Sequence, residues 1–373
     1  MNNIGLYIHI PFCKKKCAYC DFYSICDRSL EEKYIERLSE DIKRHAEMLN
    51  SKKRLCDSIF IGGGTPSILS VRSLDKLLLA ISSIKTVDGD TEFSIEANPA
   101  TLDDEKLSLL SKGGVNRLSI GLQSADDNEL SALSRIHTFG EFLKTYNSAR
   151  RYFYNINVDI MYGLPEQSLD GFMNTVDTVI SLDAEHISMY GLRVEENTPF
   201  GRMKDALSLP DEDGFAEMYL SASERLRGAG YEKYEISNFS KPGKECRHNL
   251  KYWTRAEYVG IGPAAHSFFE GKRYFCKSDI NAYIEKATCI SDTIDVSSKN
   301  SALEEEIMLS LRLKKGLDTK RIFETYGVNI LSDFGDAIYR YVKEGFARLE
   351  GDVLSLTDKG MLVSNYIISD ILY

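Results

Sequence analysis

Three cysteines fall within eight residues: Cys13, Cys17 and Cys20, separated by three and by two residues. Thiolates are the ligands that iron–sulfur clusters take, and three of them satisfy three irons of a four-iron cubane. The fourth iron is then open. An open coordination position is where a metal site accepts a small molecule, here the amino and carboxylate groups of S-adenosylmethionine. Spacings this short let one loop wrap a compact [4Fe–4S] cluster. A structural zinc ion is the competing reading, and it needs a fourth ligand, which Cys26 or His9 could supply. The remaining cysteines, Cys26, Cys56, Cys246, Cys276 and Cys289, are scattered and read as small buried hydrophobes. A disulfide scaffold would be shorter and denser in cysteine.

The elements that must position this loop alternate regularly. Strand patterns lie at 6–10, 58–62, 92–97, 116–121, 157–163 and 186–191, with helical patterns between them. The first helix shows Leu30, Tyr34, Ile35, Leu38, Ile42, Ala46 and Leu49 at three-to-four-residue spacing, and Ser29 with Glu32 reads as its capping box. Further helices are expected near 73–85, 103–112, 139–152 and 168–182. Six strand–helix alternations imply parallel strands with right-handed crossovers, curling into a partial (β/α)6 barrel over residues 1–191. Cys13–Cys20, Gly62–Thr65, Glu96, Gln123 and Asp159 sit at or near the ends of successive strands. In parallel barrels the site forms at the strands' C-terminal ends, so separate segments point at one mouth. Residues 192–299 read as a mixed α/β extension, with a helix at 212–229, strands at 231–237, 258–268 and 273–277, and a polar linker near 291–300. Residues 300–373 give three helices, the hairpin RLEGDVLSLT and a last helix, the order of a small winged-helix-like domain.

Composition narrows the function classes. The 373 residues are 43% hydrophobic and 27% charged, as in a soluble globular protein. Lys+Arg 46 against Asp+Glu 56 gives a net charge of −10, which argues against a broad grip on nucleic acid despite the winged-helix-like tail. No apolar run approaches membrane-spanning length, and the N-terminus lacks the pattern of a secretory signal, so a cytoplasmic chain is expected.

The segments YIHIPFCKKKCAYCDF, IGGGTPS, EANP, GVNRLSIGLQS, IHT, DIMYGLPEQS and HNLKYW resemble the HemW family, the branch of coproporphyrinogen-oxidase-like radical S-adenosylmethionine proteins named as heme chaperones. The resemblance implies the cluster on Cys13, Cys17 and Cys20, and assigns cofactor contacts by position. Tyr7 matches a tyrosine at the methionine end of S-adenosylmethionine, and Tyr19 an aromatic ring over its adenine. Gly63, Gly64 and Thr65 belong to the glycine stretch that approaches its amino group, where the missing Cβ admits a ligand to the backbone. Glu96, Gln123, Arg135 and Asp159 match polar positions that bind cofactor groups, and Gly191 a backbone position beside the adenine. Taken singly, each polar residue could equally be a salt bridge at the barrel rim.

The second signature is HNLKYW. His248 is suited to ligate heme iron, and Tyr252 and Trp253 to stack on a porphyrin. The structural alternative is a histidine–asparagine pair beside a buried tryptophan. Cys246 is another ligand candidate, His266 would face the mouth if its strand closes the barrel, and His9 reads as structural. The chain departs from the oxidase branch at Phe22, where those enzymes carry another cysteine, and only twelve residues precede Cys13. The resemblance therefore implies a protein that binds heme and passes it to an acceptor protein, supplied with electrons by a reductant such as flavodoxin or ferredoxin. The alternative is oxygen-independent decarboxylation of coproporphyrinogen III.

Overall fold

The structure, a computed structural model, describes residues 3–87, 89–285 and 294–372. Its first half is β1 (Ile4–Ile10), α1 (Glu31–Ser51), β2 (Cys56–Gly63), α2 (Val71–Ile81), β3 (Glu92–Ala97), α3 (Asp104–Lys112), β4 (Arg117–Gln123), α4 (Asp127–Ala132), α5 (Phe139–Ala149), β5 (Ile156–Tyr162), α6 (Leu169–Ser181) and β6 (His186–Gly191). These six strands lie parallel and in chain order. The extension adds α7 (Pro199–Arg202), α8 (Glu212–Gly228), β7 (Glu232–Lys233), β8 (Asn238–Ser240), α9 (Arg247–Trp253), β9 (Tyr258–Ile261), β10 (His266–Phe269), β11 (Lys272–Phe275), α10 (Ile280–Ile284) and β12 (Ile294–Asp295). Beside β1 stand β9, β10, β11 and β12, and beside β6 stand β8 and β7, making one twelve-stranded sheet with two ends. The barrel is therefore partial, as expected.

The strands divide polar from apolar by alternation. On β1 the residues Ile4, Leu6, Ile8 and Ile10 are fully buried beneath the helices, while Gly5, Tyr7 and His9 face the hollow. Helix α1 covers that outer layer with Tyr34, Ile35, Leu38, Ile42, Ala46 and Leu49. Each large aliphatic side chain buried this way contributes about 1.5–3 kcal/mol. The cap of α1 differs from expectation: its N-cap is Leu30, with no side-chain cap bond. The backbone N–H of Ser29 instead donates to Asp27, and the helix begins one residue later than a Ser29 cap would set it. The capping box occurs on α5, where Thr138 and Glu141 bond reciprocally.

The C-terminal unit comprises α11 (Lys299–Ser310), β13 (Leu317–Asp318), α12 (Thr319–Tyr326), α13 (Ile330–Asp333), α14 (Gly335–Lys343), β14 (Ala347–Glu350), β15 (Val353–Leu356), α15 (Asp358–Leu362) and α16 (Ser364–Leu372), with a small antiparallel sheet ordered β13-β15-β14. It docks through a shared apolar core and through ion pairs. Buried Lys233 and exposed Arg227 share Asp358, and Arg255 and Arg273 share Glu305. The N–H of Lys314 also donates to Tyr234 O at 3.0 Å. Cys289 and part of the expected linker lie outside the described residues.

Candidate functional site

The loop bearing the three cysteines is closed at its base. Cys13 N donates to Ile25 O and Ile25 N to Pro11 O, at 2.9 and 2.7 Å. Its far side is pinned by Ala18, which donates to Leu133 O and accepts from Phe200 N. Beneath it Ala18, Leu133, Met161, Leu164, Leu192 and Phe200 form a separate apolar cluster, against which Tyr19 packs. Cys13 is buried; Cys17 and Cys20 are partly exposed, and Cys26 is exposed.

His9 does not serve the zinc alternative. His9 has both ring nitrogens engaged, Nδ1 with Tyr7 Oη at 3.1 Å and Nε2 with Tyr23 O at 2.9 Å. Burial lowers its pKa to about 4 and keeps it neutral. Among the described residues no three His, Cys, Asp or Glu side chains converge on a single ion. A cubane asks for something else, since each thiolate takes a different iron.

Inside the loop lies a hollow. Tyr7, Glu96, Arg135, Asp159 and Tyr19 are surrounded by protein yet remain partly open to solvent, and Tyr190 is 43% exposed. Arg135 is the link between hollow and cysteines. Its Nη1 donates to Cys17 Sγ at 3.5 Å and its Nη2 to Gly121 O at 2.8 Å, while Nε is buried without a partner. Glu96 accepts the Gly63 N–H at 3.0 Å. Burial first, and then the neighbouring Asp159 charge, raises the Glu96 pKa to about 8. Asp159 is itself held by Asn157 Nδ2 at 2.7 Å and Ser119 Oγ at 3.2 Å, and burial raises its pKa also. Gln123 lies at a β-bulge with φ of 75°. This donor set fits the implied cofactor. One guanidinium edge is available to a carboxylate, two acids suit an ammonium or ribose hydroxyls, and three thiols share one loop.

The glycines have a tighter reason to be glycine than cofactor approach. Gly63 adopts φ of 114°, and a Cβ there would meet the His9 ring at 2.5 Å. A Cβ on Gly64 would meet Phe12 O at 2.7 Å and Cys13 Sγ at 3.1 Å, so this glycine lets β2 lie against the cluster loop. Thr65 follows, with Oγ1 3.6 Å from Cys13 Sγ. At Gly191 a Cβ would run into Phe215 at 2.4 Å and Tyr162 at 2.9 Å.

The HNLKYW segment is α9, at the opposite, N-terminal ends of the strands. Glu92 of β3 caps it, accepting from Arg247 N at 2.9 Å and His248 N at 3.0 Å. The ring of His248 is 1% exposed, with Nδ1 3.0 Å from Ser58 Oγ and Nε2 3.0 Å from Tyr252 Oη. It stacks on Phe60, whose other neighbour is Tyr7. Burial, reinforced by the Lys251 charge, lowers its pKa to about 3. His248 therefore offers no free nitrogen to an iron in this structure, because the barrel floor uses both. Trp253 lies against the C-terminal unit with Arg312 over its ring at 6.0 Å. Cys246 is buried beside Glu92, and His266 is exposed and stacked on Phe275.

Sequence reasoning missed Tyr190, Phe60 and the Ser119–Asn157 support of Asp159. The signal was available: residues 186, 188 and 190 share the inward face of β6 with the period of two that places 157 and 159 on β5.

The sequence pattern of the Radical SAM superfamily matches residues 7–179, and that of the HemN C-terminal domain residues 298–363. The Bacillus subtilis heme chaperone HemW is 37% identical, the alignment covering 97% of each chain. The Lactococcus lactis heme chaperone HemW is 34% identical over 98% of this chain and 96% of its own. The chain belongs to the HemW family. Its cofactors are accordingly the [4Fe–4S] cluster and S-adenosylmethionine of radical S-adenosylmethionine proteins. The fold is shared with coproporphyrinogen III oxidase from Escherichia coli, a radical SAM enzyme, at a TM-score of 0.87 and 22% identity over 99% of this chain and 90% of that one. Among the described residues no helix is long and apolar enough to cross a membrane.

Proposed function

We propose that the chain binds heme and transfers it to an acceptor protein, with the cluster and S-adenosylmethionine held at the mouth of the partial barrel. The near full-length likeness to proteins named heme chaperones carries this reading. A residue-level observation supports it: Phe22, at the position where oxidase relatives carry a cysteine, is 71% exposed beside the cluster loop and supplies no thiol.

Each part of the site then has a task. Cys13, Cys17 and Cys20 hold the cluster. Arg135 pairs the carboxylate of S-adenosylmethionine while steadying Cys17. Glu96 and Asp159 receive its ammonium or ribose hydroxyls, Tyr7 and Tyr19 wall its two ends, and Gln123 and Gly191 border it. When bound, the pair supplies one-electron cleavage of a sulfonium bond. The protein's part is to exclude bulk water and fix the orientation. In this reading His248 and Tyr252 support the floor of the barrel, and a heme ligand at His248 requires α9 to leave Ser58 and Glu92. Electrons come from a small reductant protein.

The test offers anaerobically reconstituted protein either heme or coproporphyrinogen III, with S-adenosylmethionine and reductant. Heme should bind and pass to an apo-acceptor, and protoporphyrinogen IX should not form. Robust protoporphyrinogen IX formation matched to cofactor cleavage overturns the chaperone reading in favour of the decarboxylase.

A further inference from the structure

The cluster loop carries three consecutive lysines, Lys14, Lys15 and Lys16, all exposed, between the ligands Cys13 and Cys17. Beside the loop opens a surface cavity of about 600 Å³. Lys14, Lys106, Lys144 and Arg28 line it, Arg28 being already paired with Glu31, against two carboxylates, Asp103 and Glu141. Both carboxylates are committed to helix N-termini: Asp103 accepts from Lys106 N at 2.9 Å, and Glu141 from Thr138 N at 2.8 Å. Among the described residues none of Lys14, Lys15, Lys16 or Lys144 makes an ion pair. Asp21 and Asp27 are the other acids of the loop, and Asp27 is turned onto Ser29 N. A cationic face thus surrounds the cluster loop of a chain whose net charge is −10.

We propose that this face is the docking site of a small acidic one-electron carrier protein. The inference rests on the cluster reading above. Its physical basis is complementarity: an acidic partner is repelled by the chain as a whole and attracted only where the lysines cluster. Charge complementarity of this kind sets orientation and encounter rate more than final affinity. Docked there, the carrier lies over the loop that holds the cluster. The transfer is a single electron, lost by the carrier and gained by the cluster, with no bond made or broken. A small anion would use Lys106, but the half-buried Lys106 ammonium already donates to Ser67 O and Thr101 O at 2.7 and 2.9 Å. The exposed lysines outside the cavity need a partner of protein size.

The experiment measures binding of a purified acidic flavodoxin to the full chain by titration calorimetry, with and without the reconstituted cluster. The double variant Lys15→Glu, Lys144→Glu should weaken binding about tenfold or more at low salt, with the gap closing near 0.5 M salt as screening sets in. Lys144→Glu alone, on α5 and outside the loop, should show part of the loss even if the loop variant loads iron poorly. Reversing the exposed Lys320 and Lys343 of the C-terminal unit makes the same net-charge change and should leave binding within about twofold of the unmodified chain. Lys15→Arg with Lys144→Arg should restore it. Equal binding by the unmodified chain and the double variant, or equal losses in the control, overturns the docking face. Iron content, counted separately, decides the cluster reading, so the two failures are distinguishable.

Discussion

At the scale of single residues the chemistry sits on groups whose surroundings, more than their identity, set their state. Changing Cys13, Cys17 or Cys20 to Ala should abolish the cluster's visible absorption and lower iron from about four per chain, whereas Cys56→Ala and Cys276→Ala should leave iron content unaltered. Full iron in all three ligand variants would refute the assignment. Glu96 gives a pH prediction. Its folded pKa, raised from 4.5 to about 8 chiefly by burial, means the native state holds this proton more tightly than the unfolded chain does. Stability from Glu96 is complete below about 4.5 and is lost as pH rises through about 8, with a limiting slope of about 1.4 kcal/mol per pH unit for one proton. In the absence of S-adenosylmethionine, Glu96→Gln should flatten the fall of the melting midpoint between pH 5 and 8. An unchanged pH profile would show that Glu96 ionises freely. Gly63 is a poor probe of cofactor binding, because any side chain there first meets His9.

At the scale of elements, α9 is seven residues long and has no cap of its own. It owes its place to Glu92, to the Ser58–His248–Tyr252 chain and to the Lys251–Asp57 pair at 2.7 Å. Replacing His248 by Ala leaves Ser58 and Tyr252 without this partner, and an unsatisfied buried polar group costs about 1–3 kcal/mol. His248→Ala should therefore lower the melting midpoint by several degrees even without heme, while the loop keeps its iron. Loss of heme binding at unchanged stability would contradict the floor role and favour a ligand role. The same logic explains why HNLKYW alone does not reveal its use: a histidine, a tyrosine and a tryptophan suit a porphyrin and a packed floor equally well.

Across the whole molecule, the C-terminal unit shares one hydrophobic core with the barrel, and a few charged groups add to the fastening. Lys233 is nearly fully buried and meets Asp358, which Arg227 also reaches. Removing one partner of a buried pair costs about 3–5 kcal/mol, so Asp358→Ala should loosen this unit. Limited proteolysis should then cut before residue 300 at protease concentrations that spare the unmodified chain; equal resistance would show that the apolar contacts suffice. The six parallel strands and the winged-helix-like tail were legible in the sequence, and a cluster loop was expected from it, because hydrophobic periodicity and ligand spacing are local properties of the chain. The sequence also placed Glu96, Gln123 and Asp159 at or near strand ends. What it could not decide was which end of the barrel HNLKYW occupies, or that Arg135 reaches the cluster loop. His248 lies 190 residues from Ser58 in the chain and bonds to it across the floor, while Arg135 crosses 118 residues to reach Cys17 at the mouth. Such pairings depend on the register and curvature of the whole sheet, and only the tertiary structure sets those.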